Sequence, residues 1–493
     1  MAADRILVID AGTSGVRAVV TAPDGSLTVA RRAWEYESPP EIGPLGRSFD
    51  SETFWSLIRD AVREALSSAG GEIAAVATTS QRLAMLIVDA EGRQLYAGPN
   101  SDVRALGQGL AIDAAMAGRV YESGGKLPSL LLGPARVQWL RQTRPDGFAR
   151  AAAVLTLGDW VAYKLTGAFR NERALAGDMG LLDVRSGERD GDLLRALDVP
   201  EALLPPLVSP ADVAGEVTER ASNETGLRAS TPVVIAGSDT QCGLVGLGVE
   251  TPGEAGIIAG WSAPVQLVTP EPRPDAQRRT WFGLHVVPGR WVIESSTGNA
   301  GAVWRWWCET LLGCGEASLA QADELAAQAS PGANDVIALL GSGVMNAGAM
   351  GLHLGGVLFR TPLASAVVRR PELLRAGLED IAYALRGNLE QAEDVSGLRA
   401  TRIAAGGGMT RSPLFTRILA DVLDRPLEVA REIEVTATGA ATLAARAVGR
   451  PELAPERRLD AVEPSEQAAA YRAPYARWRM LSSELDETMR RLP

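Results

Sequence analysis

Three short apolar runs in this chain each end abruptly on an acidic or glycine-rich turn, and that recurrence limits the fold more than any other feature. Ile6 to Ile9 runs into Asp10, and Gly12 and Gly15 then turn the chain before the β-branched run Val16 to Thr21. PVVIAG runs into SDTQCG, which holds Asp239, and RIAAGGG, Arg402 to Gly408, ends in a glycine triplet. Short apolar runs bounded by Gly, Pro or Asp read as buried strands. The first of them reads as strand, tight turn and antiparallel strand.

Helical periodicity fills the intervals. Phe54, Leu57, Ile58, Val62 and Leu66 recur at helical spacing and predict a helix from Ser51 to Ser68 with Ser51 as N-cap, followed by a strand over Ile73 to Thr78. Pro371 to Leu389 and Ser412 to Leu423 are also helical in pattern, and AGIIAG after Pro252-Gly253 restarts the strand pattern. Alternating strands and helices predict an α/β protein. At 493 residues the chain exceeds what one core organises, so two related α/β domains with a central cleft are expected, spanning 1–250 and 251–493.

Composition removes several function classes. The formal net charge of −11 and the lack of Lys/Arg runs argue against nucleic acid or an anionic membrane as partner. Cys242, Cys308 and Cys314 have no paired CxxC spacing, and His285 and His353 are the chain's two histidines, so neither a disulfide framework nor a Cys or His metal site is expected. MAADRILVID fits no secretory signal, and the apolar stretches are short and glycine-rich, so a cytoplasmic protein is expected.

The chemistry sits on the turns. In DAGTSGVR, Asp10 follows a strand directly, where its carboxylate can meet Mg²⁺ while glycine backbone N–H groups approach phosphate oxygens. Thr13 adds a hydroxyl and Arg17 a cation. A plain β-hairpin explains this segment alone equally well. Asp239 has small neighbours that leave room for a substrate hydroxyl, as a general base requires, but an Asp capping the next helix fits the same residues. Gly406, Gly407 and Gly408, followed by Met409, Thr410, Arg411 and Ser412, offer backbone donors to a nucleotide, or a simple turn. SQRLAM, Ser80 to Met85, and NSDVRA, Asn100 to Ala105, cluster polar groups suited to a polyol or to a solvated loop. ATGAATLAA, from Ala437, reads either as a small-residue face beside the nucleotide or as close helix packing. Trp304, Trp306 and Trp307 read as an aromatic helix packed into a core.

Taken in order, these segments resemble the FGGY family of carbohydrate kinases over most of the chain. DAGTSGVR resembles the first phosphate motif, LPSLLLGPARVQWLRQTRP a family signature with Arg136 in place of Lys, and GDWVAYKLTG with AGDMGLLDV the end of the substrate region. GSDTQCGLVGLGV resembles the catalytic-Asp segment and AAGGGMTRSPLFTRILADVL the adenosine motif. NSDVRA and GDWVAYKLTG are closer to the xylulose kinase and autoinducer-2 kinase branches than to glycerol kinases. The resemblance implies two ribonuclease H-like (actin-like ATPase) domains and use of ATP with Mg²⁺ to phosphorylate a primary hydroxyl of a small sugar, a ketose such as xylulose or an open-chain polyol. By the same resemblance Asp239 is the catalytic base, and Asp10 and Asp239 hold Mg²⁺. Gly12, Thr13, Ser14 and Arg17, with Gly260 and Ser262, address phosphate. Gly406, Gly407, Gly408, Thr410 and Ser412 contact the nucleotide, and Gln81, Arg82, Asp102, Asp239 and Thr240 line the sugar pocket. A homodimer is compatible with the family.

Two departures stand out. The second phosphate turn of the family reads Gly-Thr-Ser or Gly-Thr-Gly, whereas this chain has Gly260-Trp261-Ser262, which lacks the threonine hydroxyl. VMNAGAMGLHLGG, 344–356, replaces an Arg-Thr-Pro loop. The alternatives are a catalytically degenerate FGGY homologue that binds sugar or nucleotide, and an actin- or chaperone-like ATP-driven binding protein.

Overall fold

A computed structural model of the chain describes residues 3–210, 212–313, 315, 317–349, 351, 353–361, 368–432 and 434–491; Cys314, and Met350 and Leu352 of the 344–356 segment, lie outside them. It forms two compact units, one of Met1–Glu250, Thr269–Val292 and Glu434–Arg457, the other of Thr251–Val268, Ile293–Ile433 and Arg458–Pro493.

In the first unit, β1 (Arg5–Ala11), β2 (Gly15–Thr21) and β3 (Leu27–Ala33) form an antiparallel meander, as the opening pattern predicts. After α1 (Ser51–Ala69), β4 (Ile73–Ser80) pairs parallel to β1. The helices α2 (Leu106–Gly124), α3 (Leu157–Thr166) and α4 (Arg173–Asp178) precede β5 (Pro232–Ser238), which pairs parallel to β4 and leads into α5 (Asp239–Gly246). With a two-residue strand at Gly215–Glu216 on the outer edge, the order across the sheet is edge-β5-β4-β1-β2-β3, the arrangement expected of a ribonuclease H-like domain.

Both faces of this sheet are covered, which explains why β1 is an unbroken apolar run. Successive side chains of a strand point to opposite faces. Leu7 and Ile9 pack with Phe54, Trp55, Ile58 and Val62 of α1, whereas Ile6 and Val8 pack with Ala437, Ala440, Ala441 and Ala444 of a helix at Val435–Ala447. The cap of α1 is Asp50 and not Ser51: its side chain accepts from the Thr53 N–H at 2.7 Å, one residue before the expected position.

The small residues of ATGAATLAA serve close packing. A Cβ on Gly439 would lie 1.7 Å from the Cys242 carbonyl oxygen of α5, and one on Gly246 would lie 2.0 Å from the Val435 oxygen. The two helix backbones touch where neither carries a side chain.

In the second unit, β6 (Glu254–Ile258) pairs antiparallel to β7 (Pro264–Thr269). The helices α6 (Gly301–Leu312) and α7 (Arg370–Ser396) follow, and β8 (Arg402–Gly406) then pairs parallel to β6. After α8 (Pro413–Leu423), β9 (Leu427–Ala430) extends the parallel run and β10 (Leu459–Val462) closes it antiparallel. Trp304 and Trp307 of α6 are buried, and the Trp307 indole donates to the Leu373 carbonyl of α7 at 2.9 Å. Trp306 faces outward. No helix among the described residues is long and apolar enough to cross a membrane.

Candidate active site

In the first unit the acidic turns fall at the carboxyl ends of β1 and β5, the two parallel strands that flank β4, where open α/β sheets place their ligands. Asp10 on β1 pairs in register with Thr79 of β4, and Ser238, just before Asp239, pairs with Ser80.

Asp10 is fully buried. Its Oδ2 accepts from the Arg17 guanidinium at 2.5 Å, while its Oδ1 is buried without a hydrogen-bond partner. Arg17 also donates to Glu434 at 3.0 Å, and Arg31 donates to the other Glu434 oxygen at 2.5 Å. Arg17, expected to face phosphate, is thus held between two carboxylates. Burial pushes the Asp10 carboxyl up against the opposing charge of Arg17.

Asp239 opens α5 and is half-buried, its Oδ1 accepting from the Thr240 N–H at 2.7 Å. The Thr436 hydroxyl donates to its carbonyl at 3.1 Å and fixes the strand-to-helix corner. Desolvation, and then the charge of Asp10, push its carboxyl up to about 6, with Arg82, the Thr240 N–H and Arg17 pulling the other way. A carboxylate poised near neutrality is suited to proton acceptance. The Thr240 hydroxyl lies 3.5 Å from that of Ser238.

The turn from Gly12 to Gly15 is braced from two sides. Gly12 N–H donates to the Gly15 carbonyl at 2.9 Å, the Trp34 N–H donates to the Ser14 carbonyl at 3.2 Å, and the Asn100 amide donates to the Thr13 hydroxyl at 3.1 Å. Gln81 is buried and ties the same turn: its amide donates to the Gly12 carbonyl at 3.2 Å and to the Tyr36 hydroxyl at 2.6 Å. Asp102 is buried and fully occupied, accepting from the Arg47 N–H at 3.0 Å, the Arg104 guanidinium at 2.9 Å and the Tyr96 hydroxyl. Arg82 is half-buried and lies 5.6 Å from the centroid of the Trp281 ring. Of the sugar-pocket candidates, Arg82 thus sits in the field of Asp239, while Gln81 and Asp102 spend their polar atoms inside the protein.

In the second unit, the two glycine turns meet at the ends of β6 and β8, whose residues Ile258 and Gly406 are in register. Ala259 N–H donates to the Gly406 carbonyl at 2.7 Å and Met409 N–H to the Ala259 carbonyl at 3.0 Å. Gly407 has φ of 111°, and a Cβ there would lie 2.7 Å from the Ala259 oxygen, so this turn needs glycine. The Thr410 hydroxyl donates to the Gly407 carbonyl at 2.9 Å, and Ser412 caps α8 by accepting from the Phe415 N–H at 3.0 Å. Around Trp261, the Gly260 N–H donates to the Ser262 carbonyl at 3.0 Å, and the Trp261 carbonyl accepts from Ala300 N–H at 3.1 Å. The turn therefore forms through its backbone, and the Trp261 side chain is left 65% exposed.

Reading the sequence left out Glu434, the partner of Arg17, and Lys126, whose ammonium pairs with Asp178 at 2.7 Å. Asp178 lies inside the quoted AGDMGLLDV segment, yet nothing in its neighbours marks a partner 52 residues earlier.

Among the described residues no three His, Cys, Asp or Glu side chains form a metal cluster. Mg²⁺ does not require one, since it is commonly held by one or two carboxylates with waters and phosphate oxygens. The unpartnered Oδ1 of Asp10 fits that role.

Two α/β units whose acidic and glycine turns cap parallel strands define the actin-like ATPase class of fold. Residues 5–246 match the N-terminal domain, and residues 255–448 the C-terminal domain, of the FGGY family of carbohydrate kinases. Autoinducer-2 kinase of Yersinia enterocolitica is 31% identical over 472 residues, covering 90% of this chain and 87% of that protein. Autoinducer-2 kinase of Klebsiella pneumoniae is 30% identical over 464 residues, covering 90% and 86%. The crystal structure of xylulose kinase from Rhodospirillum rubrum superimposes with a TM-score of 0.86 at 25% identity, covering 99% of this chain and 100% of that one. Plasmodium falciparum glycerol kinase with ADP shares the fold at a TM-score of 0.83 and 17% identity, covering 97% and 98%. The chain belongs to the FGGY family of carbohydrate kinases and is an enzyme of the phosphotransferase class.

Proposed function

We propose that the protein transfers the γ-phosphoryl group of ATP to a primary hydroxyl of a small ketose or open-chain polyol, with Asp239 accepting the hydroxyl proton. The observation that carries this reading is the Asp239 carboxyl, fixed at the β5–α5 corner and raised to about 6 beside Asp10. Phosphoryl transfer asks little covalent chemistry of the protein, so positioning and charge carry most of the catalysis. We assign phosphate contacts to Gly12, Thr13, Ser14, Arg17, Gly260 and Ser262. Nucleotide contacts go to Gly406, Gly407, Gly408, Thr410 and Ser412. Asp10, with Asp239, would hold Mg²⁺, which when bound neutralises phosphate charge. The relatives' names support an autoinducer-2 or xylulose-like acceptor.

Replacing Asp239 by Asn keeps the shape and removes the proton acceptor. Asp239→Asn is expected still to bind ATP and to lose acceptor-dependent ADP release by about 10²-fold or more. Near-normal turnover would remove Asp239 from this role. The exposed Trp261 in a turn without a threonine hydroxyl favours a second reading, a homologue that binds without catalysis. ADP release across pentuloses, polyols, aldonates and 4,5-dihydroxy-2,3-pentanedione separates the two: no release with any acceptor, at measurable ATP binding, selects the second.

A further inference from the structure

Behind Arg82 the first unit holds a buried ion pair with unspent hydrogen-bonding capacity on both partners. Lys126 follows α2 and Asp178 ends α4; Nζ and Oδ1 are 2.7 Å apart, and both residues are more than nine-tenths buried. Asp178 Oδ2 has no hydrogen-bond partner. Lys126 has three N–H donors, and the structure pairs its ammonium with Asp178. A buried carboxylate oxygen left unpaired costs folding free energy, so the arrangement is unfavourable unless something else completes it.

The surroundings are built around the pair. The short strand Trp281–Leu284 is pinned to the end of α2 by the Trp281 indole, which donates to the Leu127 carbonyl at 2.7 Å, and by the Phe282 N–H, which donates to the Gly125 carbonyl at 3.0 Å. Lys126 Nζ lies 5.8 Å and the Arg82 guanidinium 5.6 Å from the Trp281 ring centroid. Gly283 faces the pair without a side chain. A Cβ there would sit 3.2 Å from Lys126 Nζ and 3.9 Å from Asp178 Oδ1.

We propose that Lys126 and Asp178, roofed by Gly283 and flanked by Trp281 and Arg82, form a hydroxyl-binding subsite that selects a neutral polyol over an acid of the same chain length. A hydroxyl both donates and accepts. It can therefore donate to Asp178 Oδ2 while accepting from Lys126, completing both partners at once. A carboxylate ligand can answer only Lys126 and brings a second negative charge against Asp178. The inference rests on the kinase reading only for the fate of the bound polyol, and it names the substrate class within that reading.

Calorimetric titration of the whole protein with xylulose, xylitol and xylonate tests it without requiring turnover. The neutral compounds are expected to bind and xylonate to bind about tenfold or more weakly, the difference expected of one hydrogen bond to a charged group. Asp178→Asn, and Gly283→Ala, which fills the roof against Lys126 without removing a charge, are expected to weaken polyol binding by about the same factor while leaving ATP affinity unchanged. Xylonate binding as tightly as xylitol, or polyol affinity unchanged in Gly283→Ala, would overturn the proposal. Polyol binding with these sensitivities but without ADP release would leave the subsite standing and remove the kinase reading. ADP release with unaltered polyol affinity in the variants would do the reverse.

Discussion

At the residue scale, the site is a contest between burial and charge. Asp239 is raised to about 6 because desolvation and Asp10 outweigh Arg82 and Arg17. The carboxylate form is the one that accepts a proton, so kcat/KM should rise with pH through about 6 and level off above it. A flat profile across that range would contradict the assignment. Stability carries the opposite sign. The folded-state value lies above the ordinary 3.8, so the native state binds this proton more tightly than the unfolded chain, and the charged form costs stability above about 6. Asp239→Asn should therefore raise the denaturation midpoint at neutral pH, and the gain should shrink as pH falls through about 6. Asp10, Asp239 and the glycine triplet were legible in the sequence because each ends an apolar run. The partners that decide their state were not. Glu434 lies 417 residues from Arg17, and the occupation of Asp102 by Arg104 and Tyr96 depends on side-chain directions that no local pattern encodes.

At the scale of elements, strands and helices followed from periodicity because burial on both faces leaves a continuous apolar run. The misplaced cap of α1 shows the limit: Asp50 and Ser51 are both good caps, and the sequence pattern alone does not separate adjacent candidates. The helix Val435–Ala447 was legible as small-residue but not as to its neighbour. Its packing makes a sharp prediction. Gly439→Ala places a methyl 1.7 Å from the Cys242 oxygen, which the backbones cannot accommodate without separating. A loss of about 3 kcal/mol, at the upper end of overpacking costs, is expected in chemical denaturation. Ala440→Gly, one residue on, removes only a methyl and should cost about 1 kcal/mol. Equal effects would mean that the glycine contact is not what holds α5 against this helix.

At the scale of the whole molecule, the two sheets follow one plan: parallel strands whose carboxyl ends carry acids in the first unit and glycine turns in the second. The family was legible because its motifs occur in order along the chain. The partition of 269–292 and 434–457 into the first unit was not, since it reflects which surfaces these segments cover and not where they fall in sequence. The central claim is transfer of a phosphoryl group to a polyol hydroxyl. Phosphorus NMR of the protein with ATP, Mg²⁺ and a pentulose tests it most directly. A phosphomonoester resonance growing in step with ADP, absent in Asp239→Asn, is the predicted result. Inorganic phosphate growing in step with ADP, with no phosphomonoester from any acceptor in the panel, would contradict it.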